Sequence, residues 1–190
     1  MSLRLPGCIL AVLFIAACAE PPNKEMGQAQ GAIDAARAAG ADRYAANEYK
    51  AATDALKRAE DAVTQRDYRL ALNEALDSRE HAQNSAREAA EARAQLRGEV
   101  ERDMAQIAGL IAEANTRLAA ATRTRAARRN IDAPRRELAT VNERVQKAGA
   151  AMKADDYLTA RTALQGVKEG IESAMKALET PAAQSSRRSR

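Results

Sequence analysis

Arg66-Asp67-Tyr68-Arg69-Leu70-Ala71-Leu72 is matched 89 residues further on by Asp155-Asp156-Tyr157-Leu158-Thr159-Ala160. In both stretches an aspartate stands directly before a tyrosine that opens an apolar stripe at helical spacing. Aspartate at that place accepts a hydrogen bond from a backbone N–H of the next helix's first turn. The tyrosine ring can pack where two helices converge, with its hydroxyl free to reach a partner. At the same offset Leu56 meets Val145, Ala59 meets Ala148, Val63 meets Met152, Ala71 meets Ala160 and Ala75 meets Leu164. The apolar seams therefore coincide on both sides of the corner, which reads as a duplicated helical hairpin. Asp67, Tyr68, Asp156 and Tyr157 are its structural corners.

Upstream of the first corner, Met26, Ala29, Ile33 and Ala36 predict a helix from about Glu25 to Ala39, closed by Gly40. Asp42 is placed to cap a second helix, from about Arg43 to Gln65. Its seam is Ala45, Tyr49, Ala52, Leu56, Ala59 and Val63. From Tyr68 no proline or turn signal interrupts the chain until Asn130. The stripe continues through Leu96, Val100, Met104, Ile107, Ile111 and Leu118. One helix from Tyr68 to about Arg128, roughly 90 Å long, is the expectation, with Gly98 and Gly109 as weak points where it could divide. Asp132 and Pro134 open a fourth helix, which runs to about Ala154 on Leu138, Val141, Val145, Ala148 and Met152. A fifth runs from Tyr157 over Ala160, Leu164, Val167, Ile171, Met175 and Leu178 until Pro181 stops it. Residues 181–190 read as a disordered basic tail.

Composition agrees with helices throughout. Alanine makes up about a quarter of the 190 residues, and charged residues 29%, while aromatics are 3%. Alanine, leucine, glutamate, lysine and arginine are the strongest helix formers, and a sheet would need many more β-branched and aromatic residues. The fold class is all-α: an elongated antiparallel helical bundle of duplicated helical hairpins sharing a long central helix. Residues 25–180 form the helical domain, with hairpin repeats at about 25–96 and 97–180. The net charge is +4, and it is largely local. Arg123, Arg125, Arg128, Arg129, Arg135 and Arg136 form one cluster. It suits an anionic partner such as lipid headgroups or an acidic envelope polymer. No aromatic platform for stacking bases accompanies it, so nucleic acid is not an expected partner.

The first residues carry a different signal. Arg4 precedes an apolar run, Ile9 to Ile15, far shorter than the roughly 20 residues a spanning helix needs. Small residues and a cysteine follow, as Ile15-Ala16-Ala17-Cys18, and then Glu20-Pro21-Pro22. This resembles the lipobox of bacterial lipoproteins, whose signal peptide is cut before the cysteine and whose thiol takes a diacylglycerol. The resemblance implies a signal peptide at 1–17, lipid attachment at Cys18, and a lipidated tether at 18–24. Cys8 would leave with the signal, so no disulfide forms within the mature chain. Each buried lipid CH₂ contributes about 0.8 kcal/mol, and two or more chains make attachment stable. Ala19 after the cysteine implies, by the same resemblance, sorting to the outer membrane, with the chain facing the periplasm.

The run Ala35-Ala36-Arg37-Ala38-Ala39-Gly40-Ala41-Asp42-Arg43-Tyr44-Ala45, then Ala59-Glu60-Asp61-Ala62 and Asp67-Tyr68, resembles a family of alanine-rich helical bacterial lipoproteins. That family bears only a domain-of-unknown-function label. The likeness spans roughly Gln28 to Leu96. It implies a helical envelope lipoprotein and supplies no reaction. Its usual corner is Gly-Asp-Tyr, a pattern similar to tetratricopeptide repeats. Arg66 and Asp155 stand where the glycine would. Neither reaches a left-handed conformation as cheaply, which counts against a tight tetratricopeptide-type turn at either corner.

Groups able to do chemistry are sparse. His81 is the only histidine, flanked at helical spacing by Ser78 and Ser85. Nucleophilic catalysis would need an orienting acid and an oxyanion hole besides, and zinc would need further ligands. No phosphate-binding glycine loop is present, and Asp155-Asp156 is explained by capping. No enzyme activity and no cofactor is expected. The leading expectation is a membrane-anchored scaffold of the cell envelope, contacting an envelope protein, peptidoglycan or a copy of itself. The alternative is a tethered periplasmic cargo-binding module, a chaperone or an inhibitor.

Overall fold

The computed structural model describes residues 20–123 and 131–187, with side chains through residue 179. Among the described residues the chain is all-α, with helices packed on helices. The elements are α1 (Asn23–Ala38), α2 (Ala41–Tyr44), α3 (Ala46–Thr64), α4 (Tyr68–Arg123), α5 (Asp132–Lys153), α6 (Tyr157–Leu164) and α7 (Val167–Arg187). They divide into two compact units, the first ending at Ala86 and the second beginning at Arg87.

In the first unit α1 and α3 pack on each other and on the opening turns of α4. Ala29, Ile33, Ala52, Leu56 and Ala82 make a buried cluster, with Met26, Ala32 and Tyr49 against it. The side chains are small, so the helices approach closely. Ser78 on α4 is fully buried, and its hydroxyl donates to the carbonyl of Ala52 on α3 at 2.8 Å. Gly40 closes α1 with φ 84°, and its N–H bonds the carbonyl of Arg37. The next helix divides, contrary to the single helix with an Asp42 cap that the sequence predicts. Asp42 lies inside the one-turn α2, whose start has no side-chain cap, and Ala45 (φ −139°, ψ 47°) separates α2 from α3. The break lets Ala41 and Ala45 both turn inward, since α2 packs on α1 and α3 together.

The second unit comprises the rest of α4 with α5, α6 and α7. Its core is built from larger side chains: Leu96, Val100, Ile107, Ile131, Leu138, Val141, Tyr157, Leu164, Val167 and Ile171 are all buried. Gly98 and Gly109 do not divide α4, which is continuous to Arg123. α5 begins at Asp132 itself with Ile131 as the flanking residue and no side-chain cap, so Asp132 is not the cap. Pro134 is buried in the first turn, where its missing N–H costs nothing.

The expected fifth helix is two. Gln165 (ψ 127°) and Gly166 (φ 72°) end α6 and redirect the chain into α7. α7 then lies so close to α5 that a Cβ on Gly170 would sit 2.8 Å from Glu137 Oε1 and 3.3 Å from Val141 Cγ2. Pro181 does not stop α7, which continues to Arg187 through the stretch expected to be unstructured. A proline's fixed φ is compatible with a helix, and the loss is confined to one hydrogen bond and a clash one turn back.

Hairpin corners and candidate contact surfaces

The two corners are the same local structure. At the end of α3, the Arg66 N–H bonds the carbonyl of Val63 and the Asp67 N–H that of Ala62, both at 2.9 Å. At the end of α5, the Asp155 N–H bonds Met152 at 3.1 Å and the Asp156 N–H bonds Ala151 at 3.0 Å. This paired closure is the Schellman arrangement, which needs a left-handed residue after the helix. Arg66 (φ 59°) and Asp155 (φ 55°) supply it. The tight turn that the missing glycines count against is therefore formed at both corners by other residues. A left-handed L-residue costs about 1–2 kcal/mol. Here the cost is offset by two carbonyls satisfied at each helix end.

Each aspartate then caps the next helix, as the sequence indicates. Asp67 Oδ1 accepts from the Leu70 N–H at 3.0 Å. Asp156 accepts from the Thr159 N–H at 3.2 Å and from the Thr159 hydroxyl at 2.8 Å. The tyrosines differ. Tyr157 is buried and its hydroxyl donates to Asp155 Oδ1 at 2.5 Å, while the Arg93 guanidinium of α4 lies over its ring, 5.9 Å from the centroid. The bond to Asp155, followed by burial and the carboxylate's charge, raises the Tyr157 pKa above the ordinary value. Tyr68 is half-buried, and Arg66, which stands where Asp155 does, offers its hydroxyl no acceptor.

The arginine cluster is only partly within the described residues. Arg123 at the end of α4 and Arg135 and Arg136 in α5 are exposed. Arg125, Arg128 and Arg129 lie outside the described residues, as do Cys18 and the signal segment. Arg135 and Arg136 stand near the positive end of the α5 dipole, where a cation gains nothing from the helix.

His81 is half-buried and its Nδ1 lies 2.8 Å from Glu48 Oε2. An acid does meet the lone histidine, a contact between α4 and α3 that sequence spacing could not reveal. The serines beside it are committed elsewhere. Ser78 bonds Ala52 across the helix interface, and Ser85 bonds the carbonyl of Ala82 in its own helix at 2.8 Å. Neither serine hydroxyl is hydrogen-bonded to the histidine. Among the described residues no group of three or more histidine, cysteine or carboxylate side chains could hold a metal ion, and no helix is long and apolar enough to cross a membrane.

An open cleft lies between adjacent helices in each unit. That of the first unit, of about 190 Å³, lies between Ile33 and Arg37 of α1 and Thr53, Leu56 and Lys57 of α3. That of the second, of about 340 Å³, is lined by Arg144 and Lys147 of α5 and by Leu158, Thr159 and Thr162 of α6. Arg144 was not singled out by the sequence. Its guanidinium donates to the carbonyls of Ala163 (3.2 Å) and Gln165, satisfying the exposed end of α6. Its only sequence signal is a charge beside the apolar seam of α5.

Residues 24–100 match a family model described as a domain of unknown function, DUF4398. That match covers α1 to α3, the first corner and part of α4. No curated protein and no solved structure matches the chain at a significant level.

Proposed function

We propose that the protein is a non-catalytic, membrane-anchored lipoprotein that acts as a structural or protein-interaction scaffold in the bacterial cell envelope. The observation that carries the anchor is the sequence Ile15-Ala16-Ala17-Cys18 after a short apolar run. A lipidated Cys18 holds the helices at the outer membrane, facing the periplasm. What favours contact over chemistry is the use the helices make of their polar groups. The buried hydroxyls of Ser78 and Ser85 are spent on backbone carbonyls, the Tyr157 hydroxyl and the histidine on carboxylates, and much of the described surface is charged helix. Such a surface meets a partner by charge and shape along helix faces.

Intact-mass analysis of protein recovered from the envelope tests the anchor. The expected species begins at Cys18 with acyl chains on the cysteine, and Cys18→Ser releases the chain from the membrane fraction. An unmodified thiol with residues 1–17 attached would overturn the reading. The cleft beside Arg144 and Lys147 favours a second reading, a tethered cargo-binding module. Lys147→Glu would then abolish capture of an acidic cargo while leaving attachment at Cys18 unchanged.

A further inference from the structure

Within the second unit, the side of α4 opposite the Val100–Ile107–Ala114 core is exposed among the described residues. It carries Ala94, Gly98, Ala105, Gly109, Ala112 and Thr116, with Glu101 and Arg102 in the turn between Gly98 and Ala105, and of the six all but the half-buried Gly98 are exposed. A Cβ at Gly98 or at Gly109 would meet no atom within 4 Å. Internal packing thus asks for glycine at neither place, although each weakens a helix interior relative to alanine. Removing Cβ atoms from an exposed helix face serves the close approach of another backbone.

The charges along this face say which backbone. Glu91 and Arg102 are exposed and, among the described residues, make no hydrogen bond or ion pair, whereas several neighbouring charges are used. Arg97 bonds Glu101, and Arg117 bonds both Glu113 and Glu179. Lay a second α4 antiparallel on the first, with the two-fold axis level with Ile107. Gly98 then faces the second copy's Thr116, Ala105 faces Gly109, and Glu91 faces Arg123. Arg102 faces Ala112, with Glu113 one residue along and on the same edge of the contact. At 3.6 residues per turn both members of that pair lie on one flank of the stripe, so the symmetry generates the contact twice. In this register Arg97 is level with Arg117 and Glu101 with Glu113, but the members of each like-charged pair lie on opposite flanks of the stripe. Small residues occupy the centre and complementary charges the rim, a rim that fixes register and orientation.

We propose that this face of α4 pairs antiparallel with the same face of a second copy of the chain. The proposal deepens the scaffold reading by naming one partner, and it can fail separately from it. The test is sedimentation velocity of the full chain carrying Cys18→Ser in reducing buffer, so that neither lipid nor disulfide drives association. The expected species at micromolar concentration is a dimer. Arg102→Glu places a carboxylate opposite Glu113 at both symmetry-related contacts and should weaken association by about tenfold or more. The double variant Arg102→Glu/Glu113→Arg should recover it. Circular dichroism of each variant should be unchanged, because both positions are exposed. A wild-type monomer at about 100 μM, far above the micromolar range, would overturn the pairing. A double variant no better than the single one would overturn this register. Either result would leave untouched a scaffold reading supported by lipidated Cys18 and crosslinking to another envelope component.

Discussion

At positions 66 and 155 a side chain occupies backbone space that glycine holds at lower cost. Among the described residues no hydrogen bond or ion pair of the Arg66 side chain offsets its φ of 59°. Arg66→Gly should therefore stabilise the first unit by about 1 kcal/mol, read as a shift in the denaturant midpoint at constant slope. Asp155→Gly should gain less or nothing, since it removes the acceptor of the Tyr157 hydroxyl. Tyr157→Ala removes a buried ring and should cost about 3 kcal/mol; a melting temperature close to wild type would place the ring in solvent. The raised Tyr157 pKa also sets a pH dependence. Because the folded value lies above the unfolded one, the contribution is fully present below about pH 10, the ordinary tyrosine range, and is lost as pH rises through the folded value. Tyr157→Phe should flatten the alkaline limb of a stability–pH profile. The Asp-Tyr pairs and their capping role were legible because a cap acts within three residues. The left-handed backbone was not, because its reward is a set of hydrogen bonds to the preceding helix that propensity alone does not register.

Elements end where their carbonyls find partners. α3 and α5 close on their own chain at the corners, so residues next to the break mark it. α6 ends after eight residues because Arg144, on α5, takes the carbonyls of Ala163 and Gln165. Arg144→Met keeps much of the apolar stem and removes the donors. It should cost about 1.5–3 kcal/mol, the range for hydrogen bonds to a charged group, checked by chemical denaturation. The break at Gly166 was invisible to the apolar stripe Tyr157–Leu178, which stays in phase across it. α4 shows the opposite case. Gly98 and Gly109 each lower helix stability, yet a helix already propagating on both sides tolerates them, and only nucleation is costly. The seams also drifted from the sequence reading. Val63, Val145 and Met152 are half-buried, while Ala55, Ala62 and Ala151 are buried. Small residues win the innermost positions because the helices approach closely there.

At the scale of the whole molecule the two units differ in what they bury. The first relies on Ala29, Ala36, Ala52, Ala55, Ala59, Ala71, Ala75 and Ala82, with Ile33 and Leu56 as its larger members. Burying a methyl contributes about 0.8 kcal/mol, against about 1.5–3 for a full valine, leucine or isoleucine. Hydrogen exchange should therefore be slower around Val141–Ala151 than around Ala52–Ala62, and the reverse order would mean that close helix approach outweighs buried area. Sequence by itself determined the helical class, the 89-residue offset between corners and the aspartates that cap them. All of these follow from composition, from 3.6-residue periodicity and from hydrogen bonds made a few residues away. Tertiary structure alone decided the left-handed turns without glycine, the breaks at Ala45 and Gly166, the alanines that reach the centre, and the meeting of Glu48 with His81. Each depends on a neighbour brought close by packing, whose distance along the chain leaves no periodic trace.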